Sequence, residues 1–72
     1  MRTSWEERAR ELIRSEMKAR RVRYDDLADL LTRDGSPETS QNLRKKLARG
    51  SFTAAFLLQV LWVIGSDLLK RD

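Results

Sequence analysis

Residues 24–50 read YDDLADLLTRDGSPETSQNLRKKLARG, two short apolar stripes separated by a turn that holds glycine and proline. Tyr24, Leu27, Ala28 and Leu31 recur at intervals of three and four, which places them on one face of a helix. Asp25 and Asp26 stand in its first turn, where carboxylates favour the positive end of the helix dipole. Arg23 fills the slot where serine or threonine would make a better cap. Gly35 suits a left-handed stop, so the expected helix covers about 24–34. Ser36 and Pro37 then offer a capping hydroxyl and a proline in the first helical position, predicting a helix over 37–49. A cap at Thr39 or Ser40 would shorten it. Leu43 and Leu47 form its inner contacts and Gly50 ends it.

Steps of 100° from the two leucines carry Gln41 and Lys45 to the outer edge, with Glu38, Asn42, Ala48 and Arg49 beside them. Gln and Asn can pair bidentately with adenine, and Lys or Arg with guanine N7 and O6. Gln41, Asn42 and Lys45 are therefore the candidate base readers. Arg44, Lys46 and Arg49, with Arg23 and Ser51, are the candidates for the DNA backbone, where contacts set register and supply salt-dependent affinity. The charge distribution points the same way. The chain's net charge is +4, and residues 37–50 carry Arg44, Lys45, Lys46 and Arg49 against Glu38 alone. A basic run of Lys18, Arg20, Arg21 and Arg23 at the preceding corner is a further candidate for flanking phosphates. Ala28, being small, allows a close crossing of the two helices, the geometry by which a helix-turn-helix enters the major groove. An ordinary helical hairpin uses the same spacings, and a charged helix face is commonly just solvated.

The flanking segments read as helices too. Ser4 and Glu7 have capping-box spacing, and Trp5, Ala9, Leu12, Ile13 and Met17 follow one apolar face, predicting a helix over 4–20. Phe52 and Thr53 serve as staple and cap for a helix over 53–64, closed by Gly65. Ser66 caps a last short turn over 66–70. The fourth helix is apolar nearly all round, and such a helix must be covered on every side. In a chain of 72 residues a second copy is the expected cover, with Leu58, Trp62 and Leu69 as the interface.

The 72 residues make one domain that buries only about 60% of its unfolded surface. The chain has neither cysteine nor histidine, which removes disulfides, thiolate metal sites, and the commonest general base. An enzyme, a metal site and a cofactor are not expected. The longest apolar run, Ala54 to Leu58, is far short of the roughly 20 residues of a membrane span, and no signal-type stretch opens the chain. A cytoplasmic, nucleoid-associated protein with no membrane partner is the expectation.

The chain resembles the Cro/repressor (lambda-repressor-like) helix-turn-helix superfamily, and more closely a family of small bacterial proteins of unknown function with that fold. The resemblance runs from Trp5 to Gly65 and rests on Tyr24-Asp25-Asp26-Leu27-Ala28, Gly35-Ser36-Pro37-Glu38-Thr39, Lys46-Leu47-Ala48-Arg49-Gly50-Ser51-Phe52, Ala55-Phe56-Leu57-Leu58 and Ile64-Gly65. It implies an all-α, compact domain of four to five helices that binds double-stranded DNA as a homodimer, with base contacts around Gln41 and Asn42. The turn before the third helix is longer than usual, and Arg44 stands where a buried aliphatic is common. The leading expectation is a bacterial or phage transcriptional regulator of the repressor kind. The alternative is a protein-interaction module, an accessory factor or antitoxin-like partner, that uses the apolar helix 53–64.

Overall fold

A computed structural model describes residues 3–69. Among them lie four α-helices, α1 (Ser4–Ala19), α2 (Tyr24–Arg33), α3 (Ser40–Arg49) and α4 (Ala54–Val63), followed by a 3-10 turn at Asp67–Leu69. No strand occurs among the described residues. The expected end of the last turn at Lys70 lies outside them.

The caps explain where each helix starts. At α1 the box forms one residue earlier than Ser4 and Glu7 suggested. Thr3 Oγ1 accepts from the Glu6 N–H (3.1 Å), and Glu6 returns a carboxylate oxygen to the Thr3 N–H (2.6 Å). Both frames satisfy the motif, but the earlier one adds a helical residue and leaves Glu7 for Arg10, 3.8 Å away. At α2, Arg23 contributes its backbone, its N–H donating to the Asp26 carboxylate at 3.0 Å. Thr53 caps α4 by accepting from the Phe56 N–H at 3.0 Å, and the Phe52 and Phe56 rings meet at 5.3 Å.

The third helix departs most from expectation. It begins at Ser40, with Thr39 as its cap, and not at Pro37. Thr39 Oγ1 accepts from the Asn42 N–H at 3.1 Å. Ser36, the other candidate cap, is engaged elsewhere: its hydroxyl accepts from the Gln59 amide of α4 at 2.9 Å. Six residues, 34–39, therefore separate α2 from α3.

Three helices close in the same way. The N–H of Val22 donates to Met17 O, that of Ser36 to Leu31 O and that of Ser66 to Leu61 O, each at 2.9 Å. This six-to-one bond needs a left-handed residue just before it. Gly35 (φ 96°) and Gly65 (φ 74°) supply it at α2 and α4, whereas at α1 the position is filled by Arg21 (φ 57°).

One core holds the helices together: Ile13 and Met17 of α1, Leu27, Ala28 and Leu31 of α2, Leu43 and Leu47 of α3, and Val60 with Ile64 at the end of α4. Helix α4 packs on α1 and α2, and α2 packs on α3. Trp5, expected on the inner face of α1, is exposed, with the Arg8 guanidinium over its ring at 4.9 Å. Its turn lies beyond the buried stretch of α1, which is confined to Ile13 and Met17. None of the described helices is long and apolar enough to cross a membrane.

The left-handed arginine generates a test. A residue with a Cβ loses about 1 kcal/mol in that conformation, part of which glycine returns as extra freedom in the unfolded chain. Arg21→Gly is expected to raise stability by about 0.5 kcal/mol in urea denaturation. A fall would mean that the Arg21 side chain makes a compensating contact.

Candidate nucleic-acid interface

Burial fixes the rotation of α3. Leu43 and Leu47 are inaccessible, while Gln41, Asn42, Arg44, Lys45, Ala48 and Arg49 are exposed. The three candidate base readers thus share one open side of the helix. Asn42, Lys45, Lys46, Ala48 and Arg49 border a shallow depression of about 450 Å³. Ala48 extends only a methyl group, so the helix backbone is approachable there. At 1.5 Å per residue the ten-residue helix is about 15 Å long, and a groove about 12 Å wide admits a helix of its diameter.

The basic side chains of α3 separate into two kinds. Lys45 and Arg49 stand in water. Arg44 is exposed but oriented, its guanidinium 5.1 Å from the Tyr24 ring centroid, a cation–π contact across from α2. Lys46, expected at the phosphates, is already engaged: its Nζ donates to Glu38 Oε2 at 2.8 Å and lies 4.8 Å from the Phe56 ring centroid. Its charge is compensated, so it ties the α2–α3 turn to α3 and α4 and gives little to an external polyanion. The pairing also neutralises Glu38, the one acidic residue of the segment 37–50.

Burial raises the Glu38 pKa, but the hydrogen bond from Lys46, the Thr39 N–H and the Lys46 charge together outweigh that effect and hold it below the usual value of 4.5. The Glu38 carboxylate also accepts from the Thr39 N–H at 3.3 Å, just ahead of the capping hydroxyl of α3. Behind it, Thr32 Oγ1 donates to Ala28 O at 2.8 Å and accepts from the Glu38 N–H at 3.2 Å, so the end of α2 holds the start of α3. Gln59 closes the turn from the other side, donating to Asp34 (3.0 Å) and Ser36. These polar ties were not foreseen from the sequence. Spacing reveals contacts one helical turn apart, and Gln59 acts across 23 and 25 residues.

Of the remaining candidates, Arg23 borders the same cleft as Arg44 of α3, whereas Ser51 and the α4 residues lie elsewhere. Arg23 is exposed at the α1–α2 corner. Ser51 is exposed after Gly50, and its hydroxyl contributes to lowering the Glu6 pKa, an effect led by the Thr3 N–H, so Ser51 stands beside an acidic group. Leu58, Trp62 and Leu69 line one depression of about 440 Å³ together with Asp34 and Gln59. Leu58 is 52% exposed and Trp62 46%, so this side of α4 is left open while Val60 and Leu61 are buried. Among the described residues no acidic cluster is placed to hold a metal ion.

Over residues 5–69 the chain matches the family described as a domain of unknown function (DUF6471), and it belongs to that family. No curated protein and no solved structure matches it.

The Glu38–Lys46 pair has a pH signature. A carboxyl whose folded pKa is depressed stabilises the fold above its unfolded value and loses that contribution as the pH falls through the folded pKa. Glu38→Gln is expected to cost about 1 kcal/mol at pH 7, after allowance for the partial exposure of Lys46. The gap to the parent chain should close as urea denaturation is repeated at pH values progressively below 4.5. A pH-independent gap would assign the loss to packing.

Proposed function

We propose that this member of the DUF6471 family is a helix-turn-helix transcriptional regulator that binds duplex DNA with α3 in the major groove. The observation that carries the reading is the two-sidedness of α3. Its leucines are fully buried, its opposite side presents Gln41, Asn42 and Lys45, and the neighbouring Glu38 is neutralised by Lys46. Amide and ammonium groups on one open helix face match the donor and acceptor pattern of base edges. In this reading Arg44, Arg49 and Arg23 meet the phosphates that set the register, with Ser51 at the margin and Lys46 acting from within. Arg44 would reach its phosphate from a guanidinium pre-positioned on Tyr24.

The assembly is proposed to be a homodimer acting as a repressor in the cytoplasm, with Leu58, Trp62 and Leu69 covering their counterparts in a second copy. Two α3 helices in such a dimer would read half-sites about 34 Å apart, one turn of the duplex. Covering the half of Leu58 that is still exposed is worth about 1 kcal/mol. No enzymatic role is proposed.

The same open strip on α4 favours a second reading, a protein-interaction module in which α4 receives a different chain and α3 is merely solvated. The two readings separate on duplex DNA. The first expects binding of selected duplexes at about micromolar protein or tighter at low salt, falling steeply as salt rises. Lys45→Ala should weaken the selected site by about 1–3 kcal/mol. Affinity indifferent to both salt and this substitution, or no binding at all, would favour the interaction module.

Sedimentation equilibrium tests the assembly. A dimer that Trp62→Ser converts to a species of about 8.4 kDa is expected, and a parent chain monomeric at high concentration excludes it.

A further inference from the structure

We infer that the cleft bounded by the end of α1, the α1–α2 corner and α3 binds a small organic anion with an acidic head and an apolar body. Four cations from three elements converge on this cleft of about 330 Å³: Arg14 and Lys18 from α1, Arg23 from the corner and Arg44 from α3. No carboxylate lines it, and among the described residues none of the four is ion-paired. Arg14 and Lys18, one turn apart on α1, repel each other, and both also border a second depression on α1 where Glu11 is the one carboxylate. Like charges around a concavity concentrate the positive potential inside it.

The cleft is more than a charged patch because one cation is already oriented and three apolar or aromatic side chains line it beside the charges. A guanidinium stacked over an aromatic ring keeps its in-plane N–H fork, which suits bidentate contact with a phosphate or carboxylate. Arg44 over Tyr24 is such a group. Met17, which is buried, and Val22 and Tyr24, which are half-buried, line the cleft together with the cations. The left-handed turn at Arg21 swings Val22 and Arg23 to this side. The volume is at the lower end of the roughly 300–1,000 Å³ of small-ligand sites, room for a ring with one acidic substituent. A nucleic-acid backbone would satisfy the charges but bring nothing to cover Met17, Val22 and Tyr24. The site excludes Gln41, Asn42 and Lys45 but shares Arg23 and Arg44 with the phosphate contacts of the regulator reading, so a small anion bound here would compete with the duplex backbone for those two side chains.

Titration of the isotope-labelled chain with phenyl phosphate, followed by amide resonances, tests it. Saturable shifts are expected at Met17, Val22, Arg23, Tyr24 and Arg44, with phenyl phosphate bound at least about tenfold more tightly than inorganic phosphate. The double variant Arg14→Gln, Lys18→Gln should lose about tenfold in affinity while its unaffected resonances show an intact fold. Equal affinity for inorganic phosphate, shifts spread evenly to Lys45 and Arg49, or no saturation by about 10 mM would overturn it. A random-sequence duplex provides the remaining arm. If phenyl phosphate fails to bind while the double variant loses duplex affinity, the cleft is a DNA-backbone contact and the small-anion proposal falls.

Discussion

Burial of Leu43 and Leu47 against the α2 leucines is the constraint on which the rest of the molecule depends. The two side chains are 0% and 1% exposed, in a core of only nine residues. Losing either would leave a cavity that a domain this small has little spare stability to absorb. Their burial also fixes the rotation of α3 about its axis. Turning the helix away from that setting would drive polar or charged side chains of α3 into the core, at the cost of burying them. The exposure of Gln41, Asn42 and Lys45 is therefore a consequence of packing behind them.

Packing sets the rotation of α3 but leaves its approach from α2 loosely determined, because the six-residue turn has almost no apolar content. Side-chain hydrogen bonds take over there. Thr32 joins the end of α2 to Glu38, Glu38 joins Lys46 of α3, and Gln59 of α4 holds Asp34 and Ser36. Each such bond contributes about 0.5–1.5 kcal/mol net, little individually, but each prefers one geometry. Gln59 has a further property: it also borders the depression lined by Leu58, Trp62 and Leu69. Whatever covers that strip on α4 touches the residue that shapes the turn into α3.

The basic residues serve distinct physical ends despite their similarity in sequence. Lys46 is compensated and acts within the fold. Arg44 is stacked and pre-positioned. Lys45 and Arg49 are solvated and uncommitted, and Arg14 and Lys18 face a cleft that the composition of the fourteen-residue basic segment does not hint at. Counting charges locates a basic region correctly, but the count cannot tell a tether from a contact surface. That difference depends on whether a carboxylate or ring happens to lie within reach.

Helix number, helix faces and the glycine stops were legible in the chain because they follow from local rules: a 3.6-residue period, a hydroxyl before a helix, and a glycine after it. Leu27, Leu31, Leu43 and Leu47 could be assigned inward on that basis, and Leu58, Trp62 and Leu69 grouped as one apolar surface, whereas a fourth helix apolar nearly all round did not mark Val60 as its inner residue. The start of α3, the engagement of Lys46, the exposure of Trp5 and the cationic cleft could not. Ser36 and Thr39 are equally good caps by local chemistry, and only the approach of Gln59 from α4 takes Ser36 out of the competition. Trp5 fits an apolar helix face perfectly well, yet α1 extends past the core that would cover it. Local propensity is encoded within a turn or two of chain, whereas the choice between near-equal local options is made by side chains that meet only after the helices pack.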